Sequence, residues 1–367
     1  NLARLIAHCR QEDYSFIFIP DDFPAHMKAV IREELGQKVH DLSSIGGILR
    51  FHPDFYQEFR PNFKCRIFGT RQFPLKTASF YFYGCSYSGP IRNNPVFQAC
   101  HHVPLLKWRG CSYCPSALSG KKISCARLGH LLKKQMDYLR KGLPSLRIIE
   151  VPSPFTRDFI RAFTGLLKRS SLRSLSFLVF FRPDDMVKNR IEMEDLLRLM
   201  KRKGCSFLVE NIGFENFSGK ELLLLNRGYG PEMNGEALKT FFYFKKKYPD
   251  TWITRNTSAS FILFGPFTTV QDLKANITGI LKLKRYFSAF YRISFNKLRI
   301  QKNTPVYYLC RKAGLLNQKS VSPDYRFRDT RVRRIHENFL KLMGTIPPQD
   351  HDMRILSFLF KSIKRND

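Results

Sequence analysis

Cys111 and Cys114 stand two residues apart in the segment Arg109-Gly110-Cys111-Ser112-Tyr113-Cys114-Pro115. Two thiolates so spaced can grip one metal ion or one edge of an iron–sulfur cluster. They can also cycle as a redox pair, although that chemistry normally opens a helix in a much smaller fold. A zinc ribbon needs a second Cys-x-x-Cys, and the chain has none. Accidental spacing is the remaining reading. Other constellations are thinner. His101 and His102 adjoin Cys100, but neighbours on a strand face opposite ways. Asp184-Asp185 reads as an exposed pair at the start of a helix. No Gly-x-Ser-x-Gly elbow, P-loop or His-Glu-x-x-His occurs.

The pair needs a scaffold, and the pattern around it supplies one. Val103–Trp108 reads as a strand, and the thiols follow it in a long loop. Leu128, Leu131, Leu132, Met136 and Leu139 mark one face of a helix over 127–140. Strands then follow at 146–151, 175–181, 206–209, 259–264 and 289–295. Helices fall between them at 157–168, 193–203, 219–225, 231–247 and 270–283. Strand–helix alternation of this length means parallel strands joined by right-handed crossovers. Six units fall short of the eight in a closed barrel, so the spacing predicts an α/β fold with a partial (β/α)6 TIM-like barrel. Loops at the C-terminal ends of such strands carry the chemistry, and the thiols lie in one of them. Before the barrel, residues 1–95 read as a small Rossmann-like α/β region. It has strand patterns at Ser15–Ile19 and Thr77–Tyr83, and a helix from Met27 to Leu35. The polar stretch from Ser86 to about Pro95 reads as a linker. Residues 96–300 form the barrel, and residues 301–367 a helical extension with helices at 331–343 and 353–364.

Several segments, in order, resemble the radical S-adenosylmethionine (SAM) superfamily, in particular members in which a cobalamin-binding domain precedes the barrel. Arg109–Cys114 is similar to the family's cluster loop. Ile148–Asp158 resembles its second strand and the helix after it, and Phe181-Arg182-Pro183-Asp184 the end of its third. Lys203-Gly204-Cys205, then Ile212-Gly213-Phe214-Glu215-Asn216, then Leu225-Asn226-Arg227-Gly228 resemble the "GIES" strand and its sequel. Phe264-Gly265-Pro266-Phe267-Thr268 is similar to the "GFPGET" turn. The resemblance covers about Val103 to Leu283. It implies a 4Fe-4S cluster on Cys-x-x-x-Cys-x-x-Cys and SAM on the unique iron. It further implies an external electron donor and a 5′-deoxyadenosyl radical acting on an unknown substrate. Such a cofactor carries the hard chemistry while the protein positions it.

The same comparison makes Cys111 and Cys114 cluster ligands. Lys107 then stands where the first Cys belongs, and an ammonium cannot replace a thiolate. The other register, with Cys111 first, puts Pro115 and Leu118 at the remaining positions. Cys100 is the candidate third ligand, through a long first spacing. Cys85 or Cys125 folding in, or loss of the cluster, are the alternatives. Loss would leave a catalytically degenerate relative acting through its basic surface. For SAM the resemblance implies contacts from Ser153, Arg182, Glu210 and Glu215. Pro152-Ser153-Pro154 replaces the usual Gly-Gly-Glu. In the first region, Ser43–Pro53 and Ile67-Phe68-Gly69 resemble a reduced cobalamin-binding domain. The motif that gives a His to cobalt is absent, so His8, His40 and His52 read as ordinary residues and cobalamin stays open as a cofactor.

Composition bounds the rest. The chain has 367 residues, is 43% hydrophobic and carries 62 Lys+Arg against 30 Asp+Glu, a formal charge of +32. That apolar content excludes a disordered chain. No apolar run approaches the roughly 20 residues that span a bilayer. The nine cysteines are odd in number and dispersed, unlike a secreted disulfide scaffold, and fit a reducing cytoplasm. Asn1 at the start fits a fragment or processed form. A charge of +32 draws polyanions, so an anionic substrate or nucleic acid is a candidate partner. The cations are dispersed over helix after helix without a recognised nucleic-acid module, which also fits a solvated Lys-rich surface.

Overall fold

In a computed structural model, the described residues are 17–19, 29–31, 33, 39–41, 77–80, 87, 89–98, 107–114, 124–142, 146–151, 155–317, 324–345 and 351–364. The chain divides into two compact units, Asn1–Cys65 and Arg66–Asp367. In the first, β1 (Ile17–Ile19) pairs in parallel with β2 (Val39–Asp41). His40 falls in β2, and His8 and His52 lie outside the described residues.

The second unit begins its sheet with β3 (Thr77–Ser79), followed by α1 (Pro95–Gln98) and α2 (Cys125–Gly142). Next come β4 (Ile148–Val151), α3 (Arg157–Arg169), β5 (Ser176–Phe181), α4 (Pro183–Lys188), α5 (Arg190–Arg202) and β6 (Ser206–Glu215). After these run α6 (Gly219–Leu224), α7 (Glu232–Lys247), β7 (Trp252–Ile253), β8 (Ser258–Phe264), α8 (Val270–Lys282), α9 (Lys284–Phe287) and β9 (Arg292–Lys297). The chain ends with α10 (Pro305–Lys312), the antiparallel pair β10 (Leu316–Asn317) and β11 (Asp324–Tyr325), α11 (Thr330–Met343) and α12 (His351–Lys364). None of the helices among the described residues is long and apolar enough to cross a membrane.

The central sheet has the order β3-β4-β5-β6-β8-β9, with β7 beside β6, and every pairing in it is parallel. Strand order follows chain order, so every crossover steps the same way. Right-handed crossovers then put the connecting helices on one face. Burial alternates accordingly. Ile149, Phe177, Val179, Phe207, Ile212 and Phe261 are buried on the helix-covered face. Glu150, Leu178, Asn211, Ser258 and Ser260 on the other face are half-buried, and Phe180 is 36% exposed there. Under the helices, Phe155 packs on Phe181 (centroids 4.9 Å) and Phe207 (5.2 Å), and Phe181 on Trp252 (5.1 Å).

Among the described residues the sheet starts at β3. Lys107 and Trp108 are not in a strand, and 103–106 lie outside the described residues. Thr77–Ser79, grouped by sequence with the first 95 residues, pairs with Ile148–Glu150. Arg109 makes an isolated bridge to Pro90, and the Trp108 indole donates to Cys111 O (3.1 Å), which bends this segment into a turn. The expected linker is also packed: Ile91 and Asn94 are buried.

The layer's helices end on cations, which favour the negative end of the helix dipole. Arg140 and Lys141 close α2, Lys168 and Arg169 close α3, and Lys201 and Arg202 close α5. Lys245–Lys247 close α7, and Lys282 closes α8. Each helix runs back against its strand, so these ends share the pole where the strands begin.

At the other pole a buried polar network ties β6 to β8. Asn216 Nδ2 donates to Ile262 O (2.8 Å), and its Oδ1 accepts from Asn276 (2.7 Å). Ser218 Oγ donates to Asp272 (2.7 Å), which completes a capping box with Thr269. Beside it Glu221 is 1% exposed, and its Oε1 has no hydrogen-bond partner. Burial first, then the Asp272 charge, pushes Glu221 from 4.5 up to about 7. The folded state therefore holds this proton more tightly than the unfolded chain. Stability from this group is full below pH 4.5 and declines as pH rises to about 7, by about 3 kcal/mol in all. The expected outcome is that Glu221→Gln raises Tm relative to the unsubstituted protein more at pH 8 than at pH 5. Thermal melts across that range check it.

Candidate functional site

Two arginines bring the site together. Arg182 follows β5 directly and takes the N-cap position of α4. Its Nε and Nη2 donate to the Asp184 carboxylate (3.1 and 3.4 Å), and Nη2 also donates to Arg227 O (2.8 Å). Its Nη1 donates to Cys111 Sγ (3.3 Å), and its guanidinium lies over the Tyr87 ring at 3.9 Å. Arg227 donates Nη1 to the same sulfur (3.4 Å) and to Tyr113 Oη (3.3 Å). It donates Nη2 to Gly213 O (3.1 Å) and pairs with Glu215 Oε1 at 3.5 Å. Both arginines are buried. Two cations thus meet two carboxylates, Asp184 and Glu215, around one sulfur.

The backbone explains why these side chains converge. In β6 the register steps from Val179–Val209 to Phe180–Asn211, so Glu210 bulges out of the ladder. A second shift lies between Gly213 and Glu215, and Glu215 has φ +63°. That conformation ends the strand. A Cβ on Gly213 would lie 2.7 Å from Glu215 Oε1, so the position takes no larger residue without displacing the carboxylate.

Asn226, at φ +51°, does the same for the thiol loop. Its Nδ2 donates to Gly110 O (2.7 Å) and Gly89 O (3.1 Å), while its Oδ1 accepts from Asn94 (3.0 Å). Ser112 donates its backbone N–H to Leu225 O (3.1 Å) and its hydroxyl to Leu224 O (2.6 Å). The loop is thereby fastened to the end of α6.

Burial sets the protonation states. Burial and the Arg227 charge oppose a cation at Arg182, but Cys111, Asp184 and Asp185 raise it above its ordinary value. Arg227 is likewise lowered by burial yet held well up by Tyr229, Tyr113, Cys111 and Glu215. Burial pushes Tyr87 and Tyr229 up to about 12, and Tyr113 is raised by burial and then by Glu215, so the phenols donate as neutral groups. Asp185, read from sequence as exposed, is 8% exposed. Burial, then the Asp184 charge, raises it from 3.8 to about 7. The pair is buried because Arg182 folds back over α4 to meet it.

Of the residues singled out by sequence, Cys111, Arg182 and Glu215 meet in this network. Cys114 is half-buried on the same turn, its N–H directed at Cys111 O (3.4 Å). Glu210 sits in the bulge, about 16 Å down the strand from Glu215 at the usual rise, and takes no part in the network among the described residues. Cys100 and Ser153 lie outside the described residues. Arg227, Asn226, Tyr113 and Tyr87 were not singled out. Leu225-Asn226-Arg227-Gly228 was visible as a segment but without roles, and Tyr87 sat in the apparent linker.

No protein-family model matches the chain, and no curated protein matches it. A 4Fe-4S cluster needs three thiolates, and of the candidate ligands only Cys111, Cys114 and Cys125 are among the described residues. Among the described residues no three His, Cys, Asp or Glu side chains converge to hold a metal. The Cys111 sulfur accepts from two guanidiniums, and Lys107 is exposed.

Arg227→Ala leaves Glu215 without its cation in a buried setting. The expected loss is about 3–5 kcal/mol in urea unfolding. Arg227→Lys restores less than half of it, because one ammonium cannot replace a planar fork that reaches Cys111, Gly213 and Tyr229 together.

Proposed function

We propose that Arg66–Asp367 is a partial (β/α)6 barrel of the radical SAM type whose mouth has been rebuilt. An arginine–carboxylate network occupies the cluster seat, and the protein acts as a cluster-free binding protein. The sequential, all-parallel strand order and the single helix-covered face support the barrel. The observation that carries the cluster-free reading is the double guanidinium contact on Cys111 Sγ. A sulfur committed to two N–H donors at 3.3 and 3.4 Å has both cations to lose before it binds iron.

The ligand surface in this reading is the sheet face opposite the helix layer. Asn211 Nδ2 donates to Ser260 Oγ there (3.0 Å), while Asn211 Oδ1 is buried without a hydrogen-bond partner. Ser258 and Ser294 lie beside them across the ladder, and Phe180 supplies an apolar floor. Hydroxyls, amides and one aromatic ring suit a small hydroxylated ligand. SAM contact by Arg182 and Glu215 is not part of this reading, because both already pair inside the network.

A second reading keeps the enzyme. It places a cluster on Cys111 and Cys114 with Cys100 as third ligand, SAM beside it and an electron donor outside. One observation favours it: both thiols share a turn at the C-terminal ends of β5 and β6, next to Arg182 and Glu215. Iron and sulfide counting after anaerobic purification and reconstitution separates the two. The cluster-free reading expects a colourless protein with under about one iron per chain. About four irons and four sulfides per chain, lost in Cys111→Ala and Cys100→Ala, would establish the enzyme instead.

A further inference from the structure

The pole opposite the mouth is built from five helix-to-strand connections: α2 to β4, α3 to β5, α5 to β6, α7 to β8, and α8 to β9. Counted from the last helical turn to the first strand residue, they carry seventeen Lys and Arg and one acid, Asp250. Except for the half-buried Lys203 and Lys245, all these cations are exposed. The contrast with the mouth lies in the acids. The connections from β3 to α2, β4 to α3, β5 to α4, β6 to α6, β8 to α8 and β9 to α10 hold six acids among twelve cations. One cation per helix end satisfies a helix dipole. Three or four per connection, with one acid between them, is a charged surface rather than a set of caps.

Its dimensions and chemistry identify a partner. Neighbouring helices pack about 8–10 Å apart, so five connections in a row span roughly 40 Å. Even a strand stacked as tightly as in a duplex, at roughly 3.4 Å per nucleotide, fits at most about twelve nucleotides along it, and an extended unpaired strand fits fewer. At one end of the row Tyr291 is 71% exposed, between buried Phe290 and the exposed Arg292. An exposed ring among cations is a stacking platform for an unpaired base. An anionic membrane fits less well. Stable attachment needs a second, apolar signal beside the basic one, and within these connections Tyr291 is the one strongly exposed large apolar side chain among the described residues.

We infer that this pole binds single-stranded nucleic acid, holding the phosphates with the five basic connections and stacking a base on Tyr291. The inference is independent of what the mouth binds.

The experiment is fluorescence anisotropy with a labelled mixed-sequence 20-nucleotide probe, as RNA and as DNA, over a salt series with the full chain. A variant with Lys168, Arg173, Lys201 and Arg202 all changed to Ala is expected to bind at least tenfold more weakly at 150 mM KCl. Its slope of log K against log salt flattens by up to about 3. Tyr291→Ala loses about fivefold or more with an unchanged slope. A control with Arg328, Arg333, Arg334 and Lys341 changed to Ala removes the same charge near α11. That helix packs on Phe264 at the other end of the strands, and the control stays within twofold. RNA and DNA binding that differ assign the source of the strand. Circular dichroism melts verify folding, and should the four-site variant be unfolded, the pairs Lys168/Arg173 and Lys201/Arg202 are read separately. Equal loss in the control, no binding by the unsubstituted protein at 50 mM KCl, or binding confined to phosphatidylserine vesicles overturns the inference.

Discussion

Two guanidiniums share one sulfur, and the mouth of the sheet is arranged around that contact. Charges as deep as Arg182 and Arg227 are tolerated only where opposite charge and hydrogen-bond acceptors surround them. Asp184 and Glu215 supply the charge. Main-chain carbonyls of Gly213 and Arg227 and the hydroxyls of Tyr113 and Tyr229 supply the rest. These acceptors come from α4, β6, the thiol loop and the segment after α6. Satisfying two arginines therefore fixes the relative positions of four pieces of chain. The thiol loop is held by its contacts with Arg182, Arg227 and Asn226, whatever its sulfurs do chemically.

The topology then divides labour between the poles. Parallel strands in chain order leave every βα loop at one end and every αβ loop at the other. The mouth gathers buried carboxylates, including Asp185 and Glu221, whose pKa values burial raises to about 7 and each of which keeps one oxygen without a hydrogen-bond partner. The opposite end gathers solvated cations with little acid among them. A net charge of +32 is thus less dispersed in space than along the chain.

Much of the architecture was legible from periodicity. The helices over 125–142, 157–169, 232–247 and 270–282 follow apolar spacing at three and four residues, and the strands at 148–151, 176–181 and 258–264 are short apolar runs. Of the strand expected at Val103–Trp108, only Lys107 and Trp108 are among the described residues, and neither is in a strand. Its tryptophan is instead spent on the Cys111 carbonyl. Strand β6 extends to Glu215 through two irregularities, which no alternation pattern announces. Asp184, Asp185 and Asn94 look solvated because they are polar, whereas partners distant in sequence pull them inside. Arg182 and Glu215 were reached through family resemblance, and the structure brings both into one network. Their hydrogen bonds go to one another's neighbours rather than outward.

The buried seat of Cys111 is the claim most open to direct measurement. Native-state alkylation with iodoacetamide, read by peptide mass spectrometry, ranks the thiols by access. Cys111 is 7% exposed under two arginines, while Cys114 and Cys125 are half-buried. The expected result is that Cys111 labels at least about tenfold more slowly than either, as protection by native structure requires. Labelling of Cys111 as fast as Cys114 and Cys125 would contradict the arrangement on which the mouth is built.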